Sequence, residues 1–504
     1  MIKRHEVVPL FANPKVLRIA MADPTNLAVI DELRFTSGRW IQVVLTPEAT
    51  VRALIASSFS TDTLLAEVLQ GSAGLGAGET LETLKVEETE EEARDTYDLV
   101  QQSADQPVVN FVNFLLLESV RRRASDIHIE PYENSLRVRF RVDGELVNIV
   151  SPPRRLHTPV VSRIKVMSGM DISKRRIPQD GHLAVRERGQ VLHYRVSTLP
   201  TVFGEKCVMR LLTKDAALAE LPKLGMEDDA MRRFRRAIGV PQGLVLVTGP
   251  TGSGKTTTVH AALNAIAKPS MNVMTLEDPV EVTLPGINHV QVRESLGVSF
   301  ADGLRSLLRQ DPDVIFVGEM RDAEVSRIAI RASLTGHLVL TTLHTNSALE
   351  SFERLDDMGI ERYLIAATVQ TVVAQRLLRR VCSGCAEPVT MGQLRQPIEG
   401  QVELVPEVLA ALAAVTLPET PTLMLGKGCD RCLRTGYRGR LGAYEVLPID
   451  REMRELLRTQ AKTEQLLEAA TARGFTTLFE HGLRLCARGL TTPFEVQRVL
   501  APDR

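Results

Sequence analysis

The chain has 504 residues, of which 44% are hydrophobic and 24% are charged. That balance is typical of a globular protein and excludes collagen-like and wholly disordered chains. The 61 Lys and Arg residues nearly cancel the 62 Asp and Glu residues, so the formal net charge is −1. This charge argues against a protein that coats nucleic acid or anionic lipid with its whole surface. With 4% aromatic residues, a broad base-stacking platform is also disfavoured.

Apolar runs along the chain are all shorter than the roughly 18–20 residues that span a bilayer. The N-terminal sequence MIKRHEVVPL is followed by polar and charged residues, not by a long apolar core with a cleavage site. We therefore predict no signal peptide and a cytosolic chain. At roughly 100–200 residues per domain, the length predicts about three or four domains.

Residues 1–70 alternate apolar runs with turn signals, which predicts a small α+β domain. A helix-like stretch near Leu27–Leu33 separates the runs VLRIAMADP and WIQVVLTP. Residues 71–105 come next and contain a Gly-, Ala- and Ser-rich stretch, then the acidic run from Glu87 to Glu92. This composition favours a flexible linker, although a solvated helix through the Glu run fits equally well.

The pattern of residues 106–215 predicts a second α+β domain. Apolar residues at spacings of three and four predict a helix over 106–123. The run LRVRFRV then alternates, giving a strand with one apolar and one basic face, and Asp143-Gly144 marks a hairpin turn. The runs VLHYRVS and KCVMRLL predict two more strands.

The rest of the chain divides into an interdomain linker (216–240), a core (241–380), a cysteine-containing region (381–445) and a C-terminal helical region (446–504). In the core, the short apolar runs LVLVTG, NVMTLE, VIFVGE and HLVLTTL are separated by helical stretches. Such alternation predicts a mostly parallel sheet that is covered on both faces.

Residues 249–256, GPTGSGKT, match the pattern G-x-x-x-x-G-K-[ST] between a predicted strand and a predicted helix. That context indicates a phosphate-binding loop, in which backbone N–H groups and the helix N-terminus surround phosphate oxygens. Lys255 is expected to reach the β- and γ-phosphates of ATP, and the Thr256 hydroxyl to bind Mg²⁺. We assign nucleotide binding to the residues Gly249, Pro250, Thr251, Gly252, Ser253, Gly254, Lys255, Thr256 and Thr257.

Acidic residues follow two of the predicted strands. Glu281 lies in the segment EDPVE after NVMTL, and Glu319 ends the run VIFVG. Carboxylates at the carboxyl ends of parallel strands lie in the ligand crevice, where they can polarise water. Because Gly318 occupies a position where many ATPases have Asp, we expect no direct Asp contact to Mg²⁺ there. His337 and His344 flank the strand LVLTTL, and their position predicts a role in sensing the γ-phosphate.

Four of the six cysteines form two C-x-x-C pairs, namely Cys382, Cys385, Cys429 and Cys432. Each pair can present two thiolates to one tetrahedral ion, and four thiolates suit structural Zn²⁺. A redox C-x-x-C requires one pair, so the presence of two pairs disfavours that reading. The isolated Cys207 and Cys486 are predicted to be packing residues.

Together, the motifs GPTGSGKTTT, LEDPVE, RQDPDVIFVGEMRD and TGHLVLTTLHTN resemble the secretion ATPase superfamily that powers type II secretion and type IV pili. The segments ASDIHIEP, RFRVDG, PQDGH and RVSTLPTVFGEKCVMRLL are similar to its N-terminal ATP-side domain. The resemblance covers about residues 106–500. It implies an α/β fold, with a RecA-like P-loop ATPase domain preceded by α+β N-terminal domains and carrying a zinc-binding module.

The resemblance also implies roles for individual residues. Glu281 corresponds to the catalytic base, Glu319 to the Walker B acid and His344 to the histidine of the His box. Arg195 and Arg210 correspond to arginines that reach the phosphates of the nucleotide, and a planar, permanently charged side chain suits that task.

Within the superfamily, the type II secretion branch is favoured because only about 70 residues precede the predicted linker. The resemblance implies a homo-hexamer that uses ATP, Mg²⁺ and Zn²⁺. It also implies a position on the cytoplasmic face of the bacterial inner membrane. Residues 1–70 are then expected to dock on platform and cytoplasmic-domain proteins of the secretion apparatus, with membrane contact only through these partners.

Three alternatives stay open at this point. The first is a motor for pilus extension or for DNA-uptake pseudopili. The second is a motor that translocates nucleic acid, which the net charge and the scarcity of aromatic residues disfavour. The third is a scaffold that binds nucleotide without hydrolysis, which Glu281 and Glu319 disfavour.

Overall fold

The structure is a computed structural model, and the ranges it describes are 7–12, 16–48, 50–51, 82–83, 105–187, 190–212, 220–396, 398, 401–415 and 422–501. The chain forms two compact units, Met1–Leu212 and Thr213–Arg504. Most of the predicted linker 71–105 lies outside the described residues, so its conformation stays a prediction. Over the described ranges, no helix has both the length and the apolar character needed to cross a bilayer.

The first unit begins with a small α/β layer. Its elements are β1 (Val7–Ala12), β2 (Val16–Met21), α1 (Leu27–Ser37) and β3 (Trp40–Leu45). Strand β2 pairs antiparallel with β1 and parallel with β3. The Asn26 side chain caps the start of α1, and Gly38 ends the helix with a φ of 62°. The predicted helix near Leu27–Leu33 is confirmed and extends to Ser37.

A seven-stranded antiparallel sheet with two helices makes up the remaining described part of the first unit. Its elements are β4 (Glu82–Thr83), α2 (Gln106–Arg121), β5 (Ala124–Pro131), β6 (Leu136–Val142), β7 (Glu145–Val150), α3 (His157–Met167), β8 (Gln179–Glu187), β9 (Gln190–Thr201) and β10 (Gly204–Leu212). The strand order is β4-β8-β9-β10-β5-β6-β7. The predicted hairpin is confirmed, because Asp143 and Gly144 join β6 to β7 with φ values of 50° and 92°.

The two faces of this sheet differ in character. On one face, apolar side chains such as Ile127, Phe140 and Met209 pack with helices α2 and α3 into a single core. The other face carries charged residues, and the buried carboxylates Asp126 and Glu130 lie there. The alternation in LRVRFRV therefore matches the structure, because the apolar residues of β6 face the core and its arginines lie on the charged face.

The second unit is built on a seven-stranded sheet. Its strands are β11 (Gly243–Thr248), β12 (Val273–Glu277), β13 (Asn288–Gln291), β14 (Val314–Val317), β15 (Leu338–Leu343), β16 (Val369–Val381) and β19 (Tyr437–Pro448). The order is β13-β12-β14-β15-β11-β16-β19. All neighbouring pairs are parallel except β16 with β19, which are antiparallel. The sequence did not predict strand β19.

Helices cover both faces of this sheet. They are α4 (Asp228–Ile238), α5 (Lys255–Ile266), α6 (Phe300–Leu307), α7 (Ala323–Leu334), α8 (Glu350–Asp357), α9 (Arg362–Thr368), α10 (Met391–Leu394), α11 (Pro406–Ala413), α12 (Arg451–Arg458), α13 (Thr463–Thr471), α14 (Leu478–Ala487) and α15 (Pro493–Leu500). Strand β11 is buried throughout: Leu244 and Leu246 belong to one core, and Val245 and Val247 to the core on the opposite face. The predicted parallel sheet, covered on both faces, is therefore confirmed.

The cysteine-containing region adds a two-stranded antiparallel sheet of β17 (Ala386–Pro388) and β18 (Met424–Gly426). Strands β16 and β19 connect this region directly to the main sheet, and β19 crosses the predicted boundary at 445/446. The domain boundaries themselves stay predictions.

Candidate active site

The loop 249–256 connects β11 to α5 in the middle of the parallel sheet. Gly249, Gly252 and Gly254 have φ values of 148°, 79° and 90°, which L side chains rarely adopt. A Cβ at Gly249 would lie 2.5 Å from the carbonyl oxygen of Gln375. The glycines are therefore required both for the turn and for the close approach of β16.

Gln375 on β16 braces this loop with its buried side chain. Its Nε2 donates to the carbonyl of Ser253 at 2.7 Å, and its Oε1 accepts from the Thr258 hydroxyl at 2.7 Å. One amide thus holds the loop and the first turns of α5 together. Gln375 was not predicted from the sequence, although a polar residue within the apolar run of β16 is a usable signal.

Lys255 begins α5, and its ammonium group lies against the loop. Its Nζ donates to the carbonyl oxygens of Gly249 and Pro250, at 2.7 and 3.1 Å. Burial lowers the pKa of Lys255 to about 8, with Glu319 acting in the opposite direction. Thr256, the predicted Mg²⁺ ligand, is exposed in the same turn.

Glu319 follows β14 and contacts two basic side chains. Its Oε2 lies 3.1 Å from His344 Nε2, and its Oε1 accepts from Arg321. A Cβ at Gly318 would lie 3.2 Å from the carbonyl oxygen of Leu276, so a small residue suits the close approach of β12. The Gly that replaces the usual Asp therefore has a packing reason.

His337 and His344 lie at opposite ends of β15. Because β15 runs parallel to β11, His344 is at the same edge of the sheet as the loop 249–256, whereas His337 is at the other edge. There, His337 Nδ1 lies 3.0 Å from the carbonyl of Ala332, at the end of α7. The predicted sensing role for His337 is therefore wrong.

The three residues after β15 each contact a different part of the site. His344 contacts Glu319, and Thr345 bonds to Thr248, the last residue of β11, through hydroxyls 2.5 Å apart. Asn346 Oδ1 accepts from Arg376 at 3.0 Å. Arg376, which the sequence analysis missed, follows Gln375 on β16 and is half-buried. The segment 344–346 thus links Glu319, the end of β11 and β16.

Glu281 is exposed and lies in the segment 278–283 that follows β12. Its neighbour in the motif, Glu277, is buried, and Glu277 Oε1 accepts from the Thr275 hydroxyl at 2.6 Å. Burial acts to raise the pKa of Glu277, but the neighbouring His260, His289 and Thr275 outweigh it and lower that pKa to about 2. Of the two glutamates, Glu277 is therefore held in place and Glu281 is accessible.

Arg195 and Arg210 are cross-strand partners on β9 and β10, in the first unit. Arg195 is exposed. Arg210 Nε donates to Asp126 Oδ1 at 2.8 Å, and this pairing contributes to a lowered pKa for Asp126, against the effect of burial. The two arginines thus stand side by side on the charged face of their sheet.

The sulfur atoms of Cys382, Cys385, Cys429 and Cys432 all lie within 4.8 Å of one another. Three of the Sγ–Sγ distances are 3.8, 3.8 and 3.7 Å. Tetrahedral Zn²⁺ with bonds of about 2.3 Å places its sulfurs roughly 3.8 Å apart, so the geometry fits this ion. Backbone N–H groups of Cys429 and Gly436 point at Cys432 Sγ, as at thiolate sites that hold metal.

The family model described as type II/IV secretion system protein matches residues 101–498. A second model, the MshEN domain, matches residues 1–64. The type IV pilus assembly ATPase PilB of Myxococcus xanthus is 41% identical over 503 residues, covering 100% of this chain and 85% of the relative. The type II secretion system protein E of Pseudomonas aeruginosa is 41% identical over 485 residues, and the match covers 95% of this chain and 91% of the relative.

Solved structures give a consistent fold. The crystal structure of the pilus retraction motor PilT with bound ADP is 27% identical, with a TM-score of 0.51, and the match covers 77% of this chain and 96% of that one. The ATPase DotB of Legionella pneumophila is 22% identical with a TM-score of 0.57, and the match covers 78% of this chain and 95% of that one. The predicted fold class, an α/β chain with a RecA-like ATPase domain after α+β N-terminal domains, is confirmed.

Proposed function

The chain belongs to the type II/IV secretion system protein family of ATPases, and from this premise we propose that it is the cytoplasmic motor of a type II secretion system. ATP hydrolysis then drives assembly of a pseudopilus and export of folded proteins from the periplasm. One observation supports the ATP-hydrolysis part of the proposal most strongly. The loop with Lys255 lies at the same sheet edge as the Glu319–His344 contact.

The site residues have separate tasks in this account. Lys255 and the loop amides bind the phosphates, and Mg²⁺ held by Thr256 would supply positive charge at the β- and γ-phosphates. Glu281, which is accessible, accepts a proton from the attacking water. Glu319 orients that water together with His344, and the segment 344–346 ties this pair to β11.

Donors are also needed on the side of the γ-phosphate that the loop does not cover. We assign that task to Arg195 and Arg210, acting in a homo-hexamer. The arginines are permanently charged and planar, and they are adjacent on one sheet face. The four-cysteine cluster, with all its ligands supplied by protein, would hold a structural Zn²⁺ that leaves no position for catalytic water.

The N-terminal region is assigned to docking. Residues 1–64 match a separate domain model, which supports an independent role for this region. We assign its partners to the inner-membrane platform and the cytoplasmic-domain proteins of the apparatus. The motor would thus be peripheral to the inner membrane, with no direct role for nucleic acid.

A second candidate is assembly of a type IV pilus. Relatives named for pilus assembly match this chain at the same level of identity as those named for type II secretion, and one of them covers the whole chain. The length of the N-terminal region therefore does not distinguish type II secretion from pilus assembly.

Deletion of the gene in its own host, with complementation by wild type or Lys255→Ala, tests both candidates. Loss of folded exoproteins from the medium, restored only by wild type, is the result expected for type II secretion. Loss of surface pili with normal secretion would favour pilus assembly. If neither changes, or if Lys255→Ala complements fully, the proposed function is wrong.

A further inference from the structure

His289 on β13 contacts both ends of the segment that carries Glu281. Its Nδ1 lies 2.8 Å from Glu277 Oε1, immediately before the segment 278–283. Its Nε2 accepts a hydrogen bond of 2.9 Å from the backbone N–H of Leu284, immediately after that segment. The imidazole ring therefore closes the base of the loop 278–283.

The hydrogen bonds define one tautomer. Because Nε2 accepts from an N–H group, it carries no proton, and Nδ1–H donates to the Glu277 carboxylate. The side chains of His289 and Glu277 are 5% and 6% exposed. A buried polar group is costly to leave without its partner, so each half of this bridge holds the other in place.

The surrounding structure makes the bridge a firm support. Glu277 and Gln291 are paired neighbours on the parallel strands β12 and β13. Leu284 is 3% exposed and packs into a core on one face of the sheet. Gln291 Oε1 also accepts from the N–H of Val280, the neighbour of Glu281, at 3.4 Å. Strand β13 thus holds the loop at its two ends and once near Glu281.

We propose that His289 is a positioning residue for ATP hydrolysis, acting through Glu281 and not on the nucleotide. This inference rests on the proposed function, in which Glu281 is the general base. A base has to lie within hydrogen-bond reach of the water that it deprotonates. Displacement of the base by about 1 Å is enough to reduce the rate of hydrolysis by roughly 10²-fold.

The experiment compares His289→Leu with His289→Gln in the full-length protein. Leu removes the contacts of both ring nitrogens, and we expect kcat to fall by about 10- to 100-fold while the KM for ATP stays within about 2-fold. Gln keeps one donor and one acceptor and is expected to recover most of kcat. Hydrogen exchange at the Leu284 amide should accelerate in His289→Leu and much less in His289→Gln.

A double-mutant cycle with Glu281→Gln separates positioning from a general structural effect. If His289 acts through Glu281, adding His289→Leu to Glu281→Gln lowers the residual kcat no further. An equal additional loss in the Glu281→Gln background would overturn the inference. Should His289→Leu fail to fold, His289→Asn, whose shorter side chain cannot span both partners, replaces it in the cycle.

The outcomes also separate this inference from the proposed function. Wild-type kcat in His289→Leu, in a protein that hydrolyses ATP normally, would overturn the positioning role alone. Absence of ATP turnover in the wild-type chain would overturn the proposed function and this inference with it.

Discussion

His344 Nε2 lies 3.1 Å from Glu319 Oε2, and this contact joins the carboxyl ends of two neighbouring parallel strands. The carboxylate also accepts from Arg321, which in turn lies 3.4 Å from Asp278. Glu319 is therefore connected to His344 on one side and, through Arg321, to the segment of Glu281 on the other. This arrangement makes Glu319 the meeting point of the proposed catalytic groups.

We expect His344→Ala to lower kcat by about 10- to 100-fold, because Glu319 loses the partner that orients it. Steady-state release of phosphate measures this effect. His337→Ala is the matched control, since it removes a histidine from the other end of the same strand, and it should keep wild-type turnover. Equal losses in the two variants would contradict the role given to His344.

Arg210→Ala is expected to keep ATP binding and to lose turnover by about 10³-fold, the scale of an arginine finger. The variant also leaves buried Asp126 without its closest cation, so a fall in melting temperature is expected. Arg210→Lys distinguishes the two effects: a lysine can still pair with Asp126 but lacks the planar donor set. Restored stability without restored turnover is the predicted result.

Mixing experiments show whether Arg210 acts across subunits. An Arg210→Ala chain has an intact phosphate loop, and a Lys255→Ala chain has an intact arginine. If the arginine acts on a neighbouring subunit, mixed rings recover part of the activity. If mixtures stay inactive at every ratio, the arginine acts within its own chain.

We predict about one tightly bound zinc per chain, measured by elemental analysis of freshly purified protein. Serine at Cys382 and Cys429 together should release the metal and lower the thermal stability, because structural zinc contributes folding free energy. Cys207→Ala is the control, since this cysteine is buried in the core of the first unit and its loss should leave the zinc content unchanged. Purified wild-type protein without zinc would contradict the assignment.

Much of the ATPase sheet could be predicted from sequence because its strands are short apolar runs separated by helices. Strand β19 could not, since it pairs with β16 across the whole cysteine-containing region. The error for His337 had a different cause. Both histidines lie at strand ends, but a strand parallel to β11 places its two ends at opposite edges of the sheet.

The phosphate loop and the cysteine pairs were visible because their chemistry is local in sequence. Arg376 and His289 were not, because each acts on groups brought near by folding, and Gln375 was marked only as a polar residue within an apolar run. His289 contacts a side chain and a backbone amide on either side of a loop, and no spacing pattern predicts such a bridge.

The central claim is that the protein hydrolyses ATP bound at the loop 249–256, with Glu281 as the general base. The variant Glu281→Gln tests this claim most directly. The amide keeps the shape of the side chain but cannot accept a proton, so ATP should bind with near wild-type affinity. Phosphate release should fall by about 10²- to 10⁴-fold. Turnover within about 2-fold of wild type, or loss of ATP binding in this variant, would contradict the account.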